Sequence, residues 1–264
     1  MHRWYIPDNP VPEDRRLRHE SRYLSYERLD QGLVFCLDGV GGYDWLPRLL
    51  RRGLDQGGVK GALIIYHWSV GPLGLWVTDL LVRRRNRESA RRLAQTIVRY
   101  QEWKPGRPVS VIGHSGGGAM AAWVLEALPE GCQVDHALVL SPALSPRYNM
   151  ARAAKAVRGH LYVTHSWLDL LLMGLGTFVF GTMDGRHSVS AGLTGFRMPP
   201  HLAPDEREAY RKIRQIAWRP ALIRDGHFGD HTGCTNTRFA RRVLTPILLG
   251  RSDPGEPLEP LENA

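Results

Sequence analysis

The stretch Val109–Ala122 reads V-S-V-I-G-H-S-G-G-G-A-M-A-A. It begins with β-branched apolar residues, which favour a buried strand, and it ends with small apolar residues at helical spacing. Between them lies the pattern G-x-S-x-G, in which Gly113 and Gly117 flank Ser115. A strand, a sharp turn and a helix in this order are typical of a nucleophile elbow, which exposes a serine hydroxyl. A phosphate-binding turn at a helix N-terminus is the alternative interpretation.

A serine hydroxyl is a weak nucleophile unless a base activates it, so we expect a carboxylate and then a histidine further along the chain. No Asp or Glu lies between Asp135 and Asp169. Asp169 directly follows a strand predicted over residues 160–165, and catalytic groups gather at the carboxyl ends of parallel strands. We therefore favour Asp169 as the acid. Asp184, deeper in an irregular segment, is the alternative.

The histidine is expected in the loop after the last parallel strand. The loop 226–231 reads G-H-F-G-D-H and contains two candidates. We favour His231 as the base because it lies closer to the final predicted helix. His227 is the alternative, and the glycines of the loop allow either imidazole to reach Ser115.

Two backbone N–H groups are expected to bind the oxyanion of a tetrahedral intermediate. Gly116 is the first candidate, since its N–H lies at a helix N-terminus. The loop 38–42, D-G-V-G-G, supplies the second. There we favour the Val40 N–H, with Gly41 as the alternate. A dinucleotide-binding loop is not indicated, because Asp44 stands where the last glycine of G-x-G-x-x-G would be.

The periodicity along the chain alternates between strands and helices, which predicts an α/β fold with a mostly parallel central sheet flanked by helices and no large cap domain. Strands are predicted over 21–29 (at the sheet edge), 32–37, 59–68, 109–114, 135–140, 160–165 and 216–223. Helices are predicted over 45–56, 86–103, 116–128, 151–157, 204–214 and 235–249.

We interpret residues 1–264 as one α/β domain, since the length suits a single core and no linker divides the chain. Residues 1–20 are polar and predict an N-terminal arm. Residues 170–197 are apolar and rich in glycine, which indicates a small lid or a pocket-lining insertion. Residues 251–264 are predicted to form a loose tail.

The composition narrows the classes of function. The formal net charge is +9 and comes almost entirely from arginine. The densest run, Arg83–Arg87, has no interleaved aromatic residues, so it predicts a solvated start of a helix rather than a nucleic-acid site. Three scattered cysteines indicate neither a disulfide framework nor a zinc site, which favours a cytoplasmic setting. No signal peptide or membrane span is evident.

Four segments together resemble the α/β-hydrolase superfamily. They are L-D-G-V-G-G at 37–42, V-I-G-H-S-G-G-G at 111–118, T-H-S-W-L-D at 164–169 and G-H-F-G-D-H at 226–231. The chain is most similar to bacterial lipase- or esterase-like serine hydrolases. The resemblance implies a triad of Ser115, Asp169 and His231, with no metal and no organic cofactor. Asp38 departs from it, since many lipases and esterases have histidine there.

These observations predict a hydrolase that cleaves carboxylic esters through an acyl-enzyme, with a small-molecule ester or lipid-like substrate. A thioesterase, amidase or acyltransferase with the same triad is the alternative within enzymes. A non-catalytic, hydrolase-like binding protein is the alternative outside them. No nucleic-acid partner and no stable membrane insertion are expected, and the oligomeric state stays open.

Overall fold

The computed structural model describes residues 22–42, 45–69, 79 and 82–258 of the chain. The predicted arm over residues 1–20 and the last six residues of the predicted tail lie outside this description. The strands are β1 Leu33–Leu37, β2 Ala62–Tyr66, β3 Val109–His114, β4 His136–Leu140, β5 Leu161–His165, β6 Ile213–Ala217 and β7 Glu256–Pro257.

One α-helix precedes β1, and the others lie between successive strands. They are α1 Tyr26–Leu29, α2 Trp45–Gly57, α3 Arg83–Trp103, α4 Gly116–Ala127, α5 Ala151–Lys155, α6 Thr177–Phe180, α7 Ala191–Thr194, α8 Pro204–Tyr210, α9 Thr237–Phe239 and α10 Thr245–Leu248. Short π-helices cover Leu170–Gly176 and Ala240–Leu244, and 3₁₀ turns cover Pro220–Asp225 and Gly233–Thr235.

The seven strands form one sheet in the order β2-β1-β3-β4-β5-β6-β7. All neighbouring pairs from β2 to β6 are parallel, and β7 pairs with β6 antiparallel. The predicted α/β fold with a mostly parallel sheet is therefore confirmed. Strands β1, β2 and β4 are mostly apolar because helices cover both faces of a sheet of this kind.

Successive residues of β1 divide the core into two layers. Phe35 and its alternate neighbours pack with α3 and α4 on one face, whereas Cys36 packs with α2 and the C-terminal helices on the other. The strand order reverses at β1, so the chain leaves β1 and β3 toward opposite faces. A crevice forms at such a switch point, at the carboxyl ends of the strands. Both the loop after β1 and Ser115 lie there.

The predicted edge strand over residues 21–29 is wrong. Tyr26–Leu29 forms a single helical turn, because the Ser25 hydroxyl accepts the Arg28 N–H at 3.3 Å and caps it. Only Leu29 of this turn is buried. The apparent alternation of apolar residues over this short segment therefore does not indicate a strand, because the segment forms a capped helical turn.

The C-terminal third also differs from the prediction. Strand β6 begins at Ile213, three residues before the predicted strand, and a 3₁₀ turn starts at Pro220. The final helix is divided into short pieces, one of which carries Pro246, a residue without an N–H donor. Glu256–Pro257 adds a strand to β6, so this part of the predicted loose tail belongs to the sheet.

Candidate active site

Ser115 lies at the sharp turn between β3 and α4. Its φ of 58° and ψ of −120° fall in a region that residues other than glycine rarely adopt. A Cβ atom at Gly113 would collide with the Gly117 carbonyl, and one at Gly117 would collide with the Asp38 carbonyl. The two flanking glycines of the motif are thus required by close backbone contacts, and they permit the strained conformation of Ser115.

Backbone hydrogen bonds hold this strained residue in place. The Ser115 N–H donates to the Leu140 carbonyl at 2.8 Å, which ties the turn to the end of β4. The Ser115 carbonyl accepts from Gly118 at 2.9 Å and from Ala143 at 3.1 Å. Ser115 is buried and lines a cavity at the carboxyl edge of the sheet.

Asp169 and His231 are in direct polar contact at this edge of the sheet. Asp169 Oδ2 lies 2.6 Å from His231 Nδ1, and the carboxylate is nearly fully buried. The His231 ring lines the same cavity as Ser115. Since an ionised carboxylate only accepts, the contact fixes the imidazole proton on Nδ1 and leaves Nε2 to accept a proton.

The loop that carries His231 is anchored to the end of β5. The Ser166 hydroxyl donates to the Gly229 carbonyl at 2.7 Å, and Trp218 Nε1 donates to the His227 carbonyl at 2.9 Å. Gly229 has a φ of +91°, and a Cβ there would lie 2.5 Å from Leu168 Cδ1. The glycine is needed both for the turn and for this close approach, which brings the loop against Asp169.

The two alternates have other partners. The His227 ring is buried against Phe239, and its Nδ1 accepts the Gly229 N–H at 3.2 Å. Asp184 accepts from the backbone N–H and the hydroxyl of Ser145 and from Thr182 Oγ1. Both side chains therefore stabilise loops, and neither takes part in the contact between Asp169 and His231.

His114 was not singled out as a site residue from the sequence. Its Nε2 donates to the His231 carbonyl at 2.9 Å, and the two rings are 4.7 Å apart. Burial lowers the pKa of His114 to about 3, so the ring stays neutral with its proton on Nε2. His114 thus holds the backbone of His231 in place through this hydrogen bond. The signal in the sequence was its position directly before Ser115.

Gly116 and Val40 meet beside Ser115. A Cβ at Gly116 would lie 2.5 Å from Val40 Cγ2, so the loop after β1 closes over the N-terminus of α4. The first N–H groups of a helix have no acceptor within the helix. Gly41 does not qualify as the alternate oxyanion donor, because its N–H donates to Asp79 Oδ2 at 3.1 Å.

Two buried carboxylates stabilise the loop after β1. Asp38 accepts from His67 Nδ1 at 3.0 Å, and its carbonyl accepts from Trp68 Nε1 at 2.8 Å. Asp79 accepts from Gly41 and, at 2.7 Å, from Arg85. Sequence reasoning missed both supports, since the partners come from loops after different strands and no local spacing links them.

The cavity that Ser115 lines has a volume of about 520 Å³. This volume is within the range of small-molecule sites. Its wall is mostly apolar. That wall includes Val40, Trp45, Leu46, Ala143, Met173 and Phe180. Part of it comes from the segment 170–197, for which a pocket-lining role was one of the two interpretations.

Neither a metal centre nor a reactive thiol stands out among the described residues. They contain no group of three or more His, Cys, Asp or Glu side chains that could hold a metal ion. Cys234 lies near the site, with its Sγ 3.7 Å from the His231 carbonyl oxygen. Burial raises the pKa of Cys234 to about 12, so the thiol stays protonated and is a poor nucleophile.

Comparison of sequences identified no relative: no family model and no curated protein matches the chain. Solved structures do match. Lipase B of Aspergillus fumigatus superposes with a TM-score of 0.54 at 12% identity, over 89% of this chain and 56% of that one.

Two further structures match over most of both chains. A putative cell surface hydrolase from Lactobacillus plantarum WCFS1 has a TM-score of 0.51 at 12% identity, over 85% of this chain and 94% of that one. A dienelactone hydrolase-like promiscuous phosphotriesterase, P91, from metagenomic libraries has a TM-score of 0.51 at 16% identity, over 83% and 86%. Identities this low inform on the fold. Together with the parallel sheet and the sharp turn after β3, they confirm the predicted fold: the chain has the α/β-hydrolase fold.

Proposed function

We propose that the protein is a serine hydrolase that cleaves carboxylic esters through an acyl-enzyme. The observation that carries the proposal is the 2.6 Å contact between Asp169 and His231, made by a histidine that lines the same cavity as the strained Ser115. The hydrolytic activities named for the structural neighbours support the class of reaction.

In the first half of the reaction, His231 Nε2 takes the proton of the Ser115 hydroxyl as the oxygen attacks the ester carbonyl. Asp169 keeps the imidazole in the Nδ1–H form and stabilises the imidazolium that results. His231 then returns the proton to the leaving alcohol. The deep burial of Asp169 strengthens its interaction with the imidazolium, because little water screens it.

The N–H groups of Gly116 and Val40 bind the oxyanion of the tetrahedral intermediate. The N-terminus of α4 adds the favourable end of its dipole at the same point. A water molecule activated by His231 then hydrolyses the acyl-enzyme and releases the acid. The apolar wall formed by Met173 and Phe180 suits an acyl group with several carbons.

Covalent labelling by a fluorophosphonate probe tests the nucleophile. The wild-type protein is expected to be labelled, and Ser115→Ala is expected to abolish labelling while leaving the melting temperature nearly unchanged. Ser110→Ala is the matched control, since Ser110 is buried on the same strand as the nucleophile elbow. Labelling that persists in Ser115→Ala would reject the assignment of the nucleophile.

A substrate screen tests the reaction class. p-Nitrophenyl esters of graded acyl length are compared with an anilide, a thioester and a phosphotriester, each with the Ser115→Ala variant as the blank. We expect the esters to have the highest kcat/KM and the preferred acyl length to follow the apolar wall. A higher kcat/KM for the thioester or the anilide would replace the ester assignment with that class.

A further inference from the structure

The segment from Trp167 to Phe180 contains many exposed apolar side chains. Seven of the thirteen large hydrophobic side chains exposed among the described residues belong to it: Trp167, Leu168, Leu170, Leu175, Phe178, Val179 and Phe180. Single exposed apolar residues are ordinary, but a contiguous group of this kind marks an interaction surface.

The outer face of this segment is also apolar, whereas the outer face of an amphipathic helix in water is polar. Met173 and Thr177 are buried, one turn apart, and the Thr177 hydroxyl donates to the Met173 carbonyl at 2.8 Å. On the opposite side, Leu175 and Phe178 are 61% and 59% exposed. Burial within this chain therefore accounts for the inner face only, and the outer face suits an apolar partner.

Part of the exposed group reaches the cavity. Phe180 lines the cavity while remaining half exposed, and Trp45 does the same from α2. Phe228 is the most exposed large apolar side chain in the part of the chain that the structure describes, and it lies in the loop that carries His231. The neighbouring Gly229 packs against Leu168. We refer to residues 167–180, Trp45 and Phe228 as the docking face.

Cations border the docking face. Arg83 and Arg84 are exposed, and Arg83 Nη1 donates to the Asp184 carbonyl at 3.2 Å, just past the end of the segment. Arg186 is exposed, although its Nε lies 4.0 Å from Asp184 Oδ2. The adjacent His187 lies 3.2 Å from the Phe178 carbonyl through its Nδ1. This arrangement gives a role to part of the basic run noted in the sequence.

The remaining charges near this border are engaged within the chain. Arg85 and Arg87 of the basic run pair with Asp79 and Glu126. The Asp184 carboxylate is mostly buried in its bonds to Ser145 and Thr182. Asp230, beside Phe228, is exposed and accepts from the Thr232 hydroxyl, so it is an anion close to the docking face. The three exposed arginines Arg83, Arg84 and Arg186 outnumber it, which favours an anionic partner.

We propose that the docking face binds the surface of an anionic lipid bilayer, with its apolar side chains among the acyl chains and Arg83, Arg84 and Arg186 at the phosphates. A combination of apolar and basic groups is what binds a protein to the membrane interface without crossing it. None of the helices in the described residues is long and apolar enough to span a bilayer.

A second copy of the chain fits this face less well. A symmetric contact would bring the same arginines of two chains together, and each chain already carries a net charge of +9. One consequence rests on the proposed function: docking would direct the Ser115 cavity toward the lipid, so that ester substrates enter from the bilayer.

Flotation with vesicles tests the proposal without turnover. Wild-type protein is mixed with vesicles of phosphatidylcholine alone or with added phosphatidylglycerol. We expect binding to the anionic vesicles, weakened about a hundredfold by Arg83→Gln/Arg84→Gln/Arg186→Gln, since each lost cation costs about fivefold. Arg91→Gln/Arg99→Gln/Arg241→Gln, which removes three exposed arginines outside the docking face, is the charge-matched control.

Leu175→Gln/Phe178→Gln tests the apolar part and is expected to weaken binding at least about tenfold. Neither residue lines the cavity, so fluorophosphonate labelling should persist and serves as the control for folding.

Three outcomes would overturn the proposal: no binding by the wild type, an equal effect of the control triple variant, or equal binding to neutral vesicles. Self-association that the Leu175→Gln/Phe178→Gln variant abolishes in sedimentation velocity would assign the face to a second copy instead. Absence of labelling in the wild type would contradict the proposed hydrolase function, and the vesicle-binding result could still be interpreted by itself.

Discussion

Two aspartate–histidine pairs lie on opposite sides of Ser115. Asp169 Oδ2 is 2.6 Å from His231 Nδ1 on one side, and Asp38 Oδ2 is 3.0 Å from His67 Nδ1 on the other. Both carboxylates are buried and both imidazoles are mostly buried. By residue type, atom and distance the two pairs are nearly the same.

The pairs differ in where the second ring nitrogen can act. His231 lines the cavity with Ser115, whereas Asp38 and His67 lie behind the loop whose glycines and Val40 form the cavity wall. An Asp–His pair is therefore a proton-transfer device only if its imidazole reaches the reacting atoms. Otherwise the same pair acts as a structural support for backbone donors.

Exchange of each histidine for glutamine gives the sharpest contrast between the pairs. His231→Gln removes the proposed general base, and we expect kcat on a p-nitrophenyl ester to fall about 10⁴-fold. His67→Gln is the matched control, and we expect its kcat to stay within about tenfold of the wild type. Equal losses in the two variants, measured at the same pH, would contradict the division of roles.

Asp169→Asn tests the acid of the first pair. The amide can no longer stabilise the imidazolium, and its NH₂ group favours the wrong tautomer of His231. We expect kcat to fall about 10³- to 10⁴-fold with KM little changed. Asp184→Asn, which changes the alternate acid, should lower kcat far less. The opposite ranking of these two variants would move the acid to Asp184.

The sequence was most informative where chemistry and local spacing coincide. The glycines around Ser115 define a turn with one geometry, and the absence of acids between Asp135 and Asp169 limits the choice of carboxylate. Asp79 and His67 carry no such signal. They meet the loop after β1 only because the strand order places β2 beside β1. Partners of this kind depend on the tertiary fold, which periodicity does not report.

The helix at Tyr26–Leu29 and the strand at Glu256–Pro257 illustrate the same limit. A single capped turn and a two-residue strand are too short for a periodic pattern to identify. Their conformation depends on one hydroxyl cap in the first case and on the exposed edge of β6 in the second. Long elements such as α3 were predicted within a few residues.

Two buried histidines that form no hydrogen bond to a carboxylate in the described part of the chain extend the comparison to the stability of the folded protein. Burial lowers the pKa of His114 to about 3 and that of His227 to about 4, whereas both titrate near 6.5 in an unfolded chain. Below pH 6.5 the unfolded chain therefore binds protons that the folded chain excludes. We expect the free energy of unfolding to be largest above pH 6.5 and to fall as the pH drops.

At pH 5 the expected loss is about 2 kcal/mol for each of these two residues, by the linkage between pKa and stability. Urea unfolding at pH 7.5 and pH 5 measures it. His227→Gln removes one titrating group outside the cavity, so the difference between the two pH values should shrink by about 2 kcal/mol. An unchanged difference would mean that His227 is protonated in the folded protein.

The smallest expected effect concerns the support of the oxyanion side. Asp79→Asn keeps an acceptor for the Gly41 N–H but removes the charge that pairs with Arg85, so the loop after β1 loses part of its anchorage. Because Val40 is one residue away, we expect kcat to fall about tenfold, with KM nearly unchanged, as for a donor that acts mainly in the transition state. Asp79→Glu, which retains the charge, should recover part of the rate. A change confined to the melting temperature, with kcat intact in Asp79→Asn, would show that Asp79 supports the fold without positioning the donor.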